Sequence, residues 1–183
     1  MRRTWGSTRN GIAGSRLFST VPAGGARVIR AGNEDVLQSG PLTVCSTFVG
    51  QIVRNRVVLG VLMAHRGPES RESFLRNLDA ELESQGIDGE FELVPVAVQH
   101  APHTRLRHRV VEDGVTRSHD DTLFELAHNL ETRFGLAAGE LMNMSEVGPG
   151  INLVTSQCTA TVRKDGSVDV PKRKGAFETC ICM

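Results

Sequence analysis

Two apolar, β-branched runs set close together constrain this chain more than any other feature. Pro41 to Val53 carries Thr43, Val44, Thr47, Phe48, Val49, Ile52 and Val53, and Val57 to Ala64 is an almost unbroken apolar stretch. Such residues suit a pleated, buried surface. Only Arg54, Asn55 and Arg56 lie between the runs, which leaves room for a tight turn and little else. The spacing predicts an antiparallel hairpin with at least one strand buried on both faces.

The elements that follow fit around such a hairpin. Gly67-Pro68 opens a helix, since proline suits the first helical position. Phe74, Leu75, Leu78 and Leu82 then share one face, and Gly86 stops the helix. Phe91 to Val98 reads as a strand. Asp113-Gly114 marks a second hairpin, between Arg105 to Val111 and Val115-Thr116. Asp120 or Asp121 caps a second helix bearing Leu123, Leu126, Ala127 and Leu130, ended by Gly135. Ile151 to Thr155, Cys158 to Arg163 and, past a Lys164-Asp165-Gly166 turn, Val168 to Val170 supply the last strands. Clustered antiparallel signals with two helices predict an α+β fold: an antiparallel β-sheet or sandwich core with two packed helices. The 183-residue chain divides in this reading into a flexible basic leader over 1–39, one α/β catalytic domain over 40–171, and a basic, cysteine-bearing tail over 172–183.

Net charge is zero but unevenly spread. Arg2, Arg3, Arg9, Arg16, Arg27 and Arg30 precede the first acid, Glu34, so the remainder is acidic overall. An acidic body argues against a dedicated nucleic-acid-binding domain. Residues 1–33 are rich in Arg, Ser and Gly and poor in large apolar groups, so they are expected to be mostly disordered. Three readings of this leader stand side by side. It fits a mitochondrial transit peptide, with Arg16-Leu17-Phe18-Ser19 resembling a processing site and the matrix as destination. It fits the unfolded leader of a secreted bacterial effector delivered to host cytosol, and it fits a plain tail on a cytoplasmic protein. No apolar run approaches the roughly 20 residues that span a bilayer. Cys45, Cys158, Cys180 and Cys182 form no CxxC pair, which argues for reduced thiols over a disulfide scaffold or structural zinc site.

Cys45 lies early in the first strand among small hydroxyl residues, and His65 ends the second apolar run. In the hairpin as drawn, both fall at the same end of the sheet. A thiol attacks as thiolate, and a neighbouring imidazole lowers its pKa. The competing interpretation is a non-catalytic protein-binding or adaptor domain, with Cys45 a small buried hydrophobe and His65 a strand-end cap.

The stretch Leu42-Thr43-Val44-Cys45-Ser46-Thr47-Phe48-Val49, followed by Gly60-Val61-Leu62-Met63-Ala64-His65-Arg66-Gly67-Pro68, resembles the core of CheD-like chemoreceptor glutamine deamidases. It is also similar to the catalytic domain of cytotoxic necrotizing factor. In that superfamily a Cys near the start of one strand is followed, one hairpin later, by a glycine and a Met-x-His ending the next strand. Gly60 and Met63-Ala64-His65 match that pattern, and Ser39 stands where some members carry a hydroxyl residue six positions before the Cys. The usual small residues before the Cys are replaced here by Thr43 and Val44. The resemblance implies hydrolysis of a protein glutamine to glutamate through a thioester, with Cys45 as nucleophile and His65 as base. Ser39 or Thr43 would orient the imidazole or the substrate amide, and no metal or organic cofactor would be needed. The implied partner is a protein carrying a reactive glutamine. Another Cys–His acyl hydrolase or protease would use the same dyad.

Three further features carry expectations. His100, His103 and His108, with His119 nearby, cluster in sequence, but Pro102 places them around a loop rather than on a zinc-protease helix, so no metal site is assigned. His103 is kept as a substrate-site candidate. Arg105, Arg107 and Arg109 alternate with Leu106, His108 and Val110, giving one cationic strand face. That face reads either as a charged, aggregation-resistant edge or as a docking face for an acidic protein substrate. The terminal Cys180-Ile181-Cys182-Met183 matches a prenylation box with Lys172-Arg173-Lys174 upstream, so Cys180 is a lipidation candidate that would give peripheral membrane contact.

Overall fold

A computed structural model of the chain describes residues 18–42, 45–101, 108–112, 115–119, 121–148 and 157–172. Three short strands come first: β1 (Phe18–Val21), β2 (Gly25–Arg30) and β3 (Asp35–Ser39). The long hairpin β4 (Ser46–Arg54) and β5 (Val57–Arg66) follows, then helix α1 (Arg71–Ser84), β6 (Glu92–His100), and the hairpin β7 (His108–Glu112) and β8 (Val115–His119). Helices α2 (Asp121–Phe134) and α3 (Ala138–Asn143) precede β9 (Ser145–Val147), β10 (Thr159–Val162) and β11 (Val168–Asp169).

The expected hairpin is the centre of the molecule. A five-stranded sheet runs β2-β5-β4-β6-β9, and a four-stranded sheet runs β1-β3-β10-β11. Most pairings are antiparallel, while β1 with β3 and β6 with β9 are parallel. Strand periodicity explains the layering, because alternate residues point to opposite faces. Phe48, Leu62, Ala64 and Val98 face the helices and pack with Phe74, Leu78, Leu126 and Leu130. Val49, Val61, Met63 and Ala101 face the other way, onto Val21, Leu37, Ala160 and Val162 of the second sheet. The fold is therefore α+β in three layers: helices, a central sheet buried on both faces, and a covering sheet.

Local chemistry sets the helix ends. The Ser70 side chain accepts from Ser73 N at 3.2 Å, so α1 starts at Arg71, three residues beyond the proline expected to open it. Gly86, at φ +64°, terminates it. The hairpin expected at Asp113-Gly114 pairs Glu112 with Val115 and extends to His108 and His119.

The domain boundary expected at residue 40 does not hold. Residues 18–39, assigned by composition to a flexible leader, form strands in both sheets. Their apolar residues are few but well placed: Val21, Val28, Val36 and Leu37 are all buried. Pairing with β5 and β10 supplies the order that local composition does not. Among the described residues no helix is long and apolar enough to cross a membrane.

Candidate functional site

The site sits between the two sheets, at the end of the central hairpin. Its geometry depends on one extra residue. Near the turn, Arg54 pairs with Val57 and Val53 with Val58; the register then shifts, and Ile52 pairs with Gly60. Leu59 is the additional residue of this β-bulge. Continued straight, the ladder would set His65 opposite Ser46, facing the helices. With the bulge, His65 pairs with Thr47 and faces the covering sheet. A slip of one residue moves every later side chain to the opposite face.

Cys45 lies on that same face, two residues before Thr47. The Ala101 N–H donates to the Cys45 carbonyl at 3.2 Å, so the ladder with β6 continues one step beyond the strand. Across the other neighbour, an ideal Cβ on Gly67 would stand 3.6 Å from Cys45 Sγ. Cys45 and His65 are thus diagonal neighbours on one face, an arrangement whose Cα atoms lie roughly 7–8 Å apart.

The imidazole is held by the main chain. His65 Nδ1 lies 3.0 Å from the Val21 carbonyl oxygen, which can only accept, so Nδ1 carries the proton. Nε2 is then the unprotonated acceptor, and it is buried with no partner. The ring lies against Gly40, whose ideal Cβ would stand 3.5 Å from His65 Cε1, and Gly25 is its backbone partner on β2. Burial pushes the His65 pKa below its ordinary value; the Val21 hydrogen bond and the nearby Glu69 carboxylate oppose that shift without reversing it. The ring is therefore neutral at physiological pH, with its basic lone pair on the nitrogen that has no hydrogen-bond partner.

A stability prediction follows. The unfolded chain binds the His65 proton near pH 6.5, before the folded chain does. The stabilisation is complete above that pH and is lost as pH falls below it, at up to about 1.4 kcal/mol per pH unit. Denaturant midpoints between pH 7.5 and 5.5 should fall more steeply for the native chain than for His65→Gln. Identical slopes would show that the fold leaves the His65 pKa unshifted.

The remaining candidates fare differently. Ser39 is buried beside the site, but its hydroxyl donates to the Gly40 carbonyl at 2.8 Å and accepts from Cys158 N at 2.9 Å, tying β3 to the segment before β10. No bond joins it to the imidazole. Thr43, His103, Arg105, Arg107 and Cys180 lie outside the described residues, and for Arg109 only the backbone of β7 is described. Among the described residues no three His, Cys, Asp or Glu side chains gather as metal ligands.

Sequence reasoning missed two polar groups. Thr47 pairs with His65 on one side and with Gln99 of β6 on the other. Thr47 Oγ1 and Gln99 Oε1 are buried without partners, as is His65 Nε2. Thr47, His65 and Gln99 are 0%, 1% and 2% exposed, and Cys45 is 4% exposed. Glu69 was also missed. It accepts from Arg66 Nη1 at 2.7 Å and from Gly67 N at 3.1 Å, bracing the turn beside Cys45. Thr47 reads in sequence as an ordinary strand former, and nothing in the residue types around Gln99 marks it. Comparison of the chain with models of known protein families and with curated protein sequences finds no match.

Proposed function

We propose that this chain is a Cys–His amidohydrolase that converts a protein glutamine to glutamate. The observation that supports it is the tautomer of His65: Nδ1 is fixed by a carbonyl, and Nε2 is left basic on the face that carries Cys45. In the first half-reaction, Cys45 Sγ bonds to the carboxamide carbon while its proton passes to His65 Nε2. The imidazolium then gives that proton to the leaving nitrogen, the C–N bond breaks, and ammonia departs. Water next attacks the thioester, His65 takes a proton from it, and the C–S bond breaks to return the thiol and a carboxylate. The CheD-like resemblance of residues 42–68 points to glutamine as the substrate amide. Both reacting groups are buried, so turnover requires the layer between the sheets to open at this end.

The rival, a binding domain with an inert core cysteine, is favoured by that same burial. Incubation with candidate protein substrates separates the two: the enzyme releases ammonia and adds one dalton per glutamine converted. Thiol labelling gives a second check. Burial pushes the Cys158 pKa up to about 12, so it should resist iodoacetamide near neutral pH. Peptide mapping should show Cys45 alkylated well ahead of Cys158; equal, slow labelling of both would favour the inert-core reading.

A further inference from the structure

Thr47, Gln99 and His65 form one row across three adjacent strands, all on the face toward the second sheet. Each ends in a buried atom without a partner. The chemistry of the row is lopsided. Gln99 Nε2 donates to the Pro171 carbonyl at 3.0 Å, which fixes Oε1 as an acceptor. His65 Nε2 is an acceptor because Nδ1 holds the proton. Thr47 Oγ1 supplies the single O–H and can itself accept. One donor therefore serves three acceptor positions, and a buried acceptor left unmade costs about 1–3 kcal/mol. The row is short of N–H or O–H donors. An apolar core would have no use for such an arrangement at three consecutive paired positions.

We infer that this row is the subsite for the nitrogen of a primary carboxamide, with Thr47 as the group that contacts it and Gln99 as the residue that positions Thr47. The inference rests on the amidohydrolase reading and extends it to substrate selection. Neither Thr47 Oγ1 nor Gln99 Oε1 has a partner in the structure; with an amide bound, the Thr47 O–H would turn to Gln99 Oε1 and leave a Thr47 lone pair toward the His65 side. One amide N–H then donates to Thr47 Oγ1, which sets the nitrogen beside His65 Nε2, the atom that returns to it the proton taken from Cys45. Directly paired side chains on neighbouring strands have Cβ atoms roughly 4.5–5.5 Å apart, so a group held by Thr47 lies next to the imidazole. A carboxylate offers no N–H and would face acceptors only, so the product is expelled and an ester or acid is refused. Gln99, alone of the three, also lines a cavity of about 430 Å³ at the β6–β9 edge with Ala97, Ser145, Glu146 and Val170.

Binding tests this without requiring turnover. Propionamide, the glutamine side chain alone, is titrated into the full-length ¹⁵N-labelled chain carrying Cys45→Ser, with propionate as the control. Saturable shifts of the Gln99 side-chain amide and of His65 Nε2 are expected, with propionate at least about tenfold weaker. Thr47→Val should weaken propionamide about tenfold without lowering the unfolding midpoint, because it removes a hydroxyl that has no partner. Gln99→Met should weaken it as well. Absence of saturable shifts, equal affinity for propionate, or unchanged binding in Thr47→Val would overturn the subsite. So would a Thr47→Val chain that is clearly less stable, since the hydroxyl would then be structural. Ammonia release by the native chain with no propionamide bound at the row would sink the subsite and leave the enzyme standing. Propionamide binding with no glutamine converted would do the reverse.

Discussion

Cys45→Ser is expected to lower ammonia release at least about 10³-fold, the scale on which losing a nucleophile removes acyl-transfer catalysis. The substitution exchanges one atom. A hydroxyl gives up its proton to His65 Nε2 far less readily than a thiol, and an alkoxide is correspondingly scarce. The neighbours barely change: Cys45 packs among Leu42, Val49 and Ala101, and a serine is smaller than the residue it replaces. A thermal melt checks that the fold is kept. The pair of measurements matters. Activity lost with the melt nearly unchanged is the expected result; a rate within a few-fold of the native one would exclude Cys45 as the attacking group.

Phe48→Ala carries the largest expected cost in stability. The ring is fully buried in the layer between the central sheet and the helices, among Leu62, Phe74 and Leu126. It lies over Gly50, whose ideal Cβ would stand 2.5 Å from Phe48 Cζ, so the glycine is what makes room for it. Two strands hold its backbone, through Ala64 of β5 and Val98 of β6, and the walls cannot collapse far into the space left behind. Removing it should cost about 3–5 kcal/mol and lower the melting temperature by on the order of 10 °C. A loss below about 1 kcal/mol would mean that the helices repack onto the sheet, contrary to the layering described.

The central hairpin, both long helices and the pairing of β7 with β8 were legible because each is announced by a local pattern: an apolar run, a repeat of three and four, a turn dipeptide. Strands β1 to β3 were not. Val21, Val28 and Val36 are scattered among arginines and glycines, and only the pairing of β2 with β5 and of β3 with β10, far along the chain, with β1 beside β3, gives them a core to join. The site divides in the same way. Cys45 and His65 were read as a pair from the hairpin, but the side of the sheet they share was beyond that reading. An unbulged ladder drawn from the same turn sends His65 toward the helices, where Arg66 instead stacks 5.6 Å from the Phe74 ring. The extra residue Leu59 decides the matter, and no composition rule announces it. Thr47 was read only as a strand former and Gln99 not at all, because their meaning comes from register: each is commonplace alone, and the row exists only once three strands are aligned.

The group that assigns the imidazole its proton is the carbonyl of Val21. Every amino acid brings the same oxygen to that position, so replacing residue by residue across the molecule would leave it untouched. A survey of side chains, however thorough, would return a thiol and a ring and miss what governs them. The chain can let residue 21 drift to any type that tolerates burial while its chemistry stays constant, and selection would be felt in the path of the backbone there rather than in the letter.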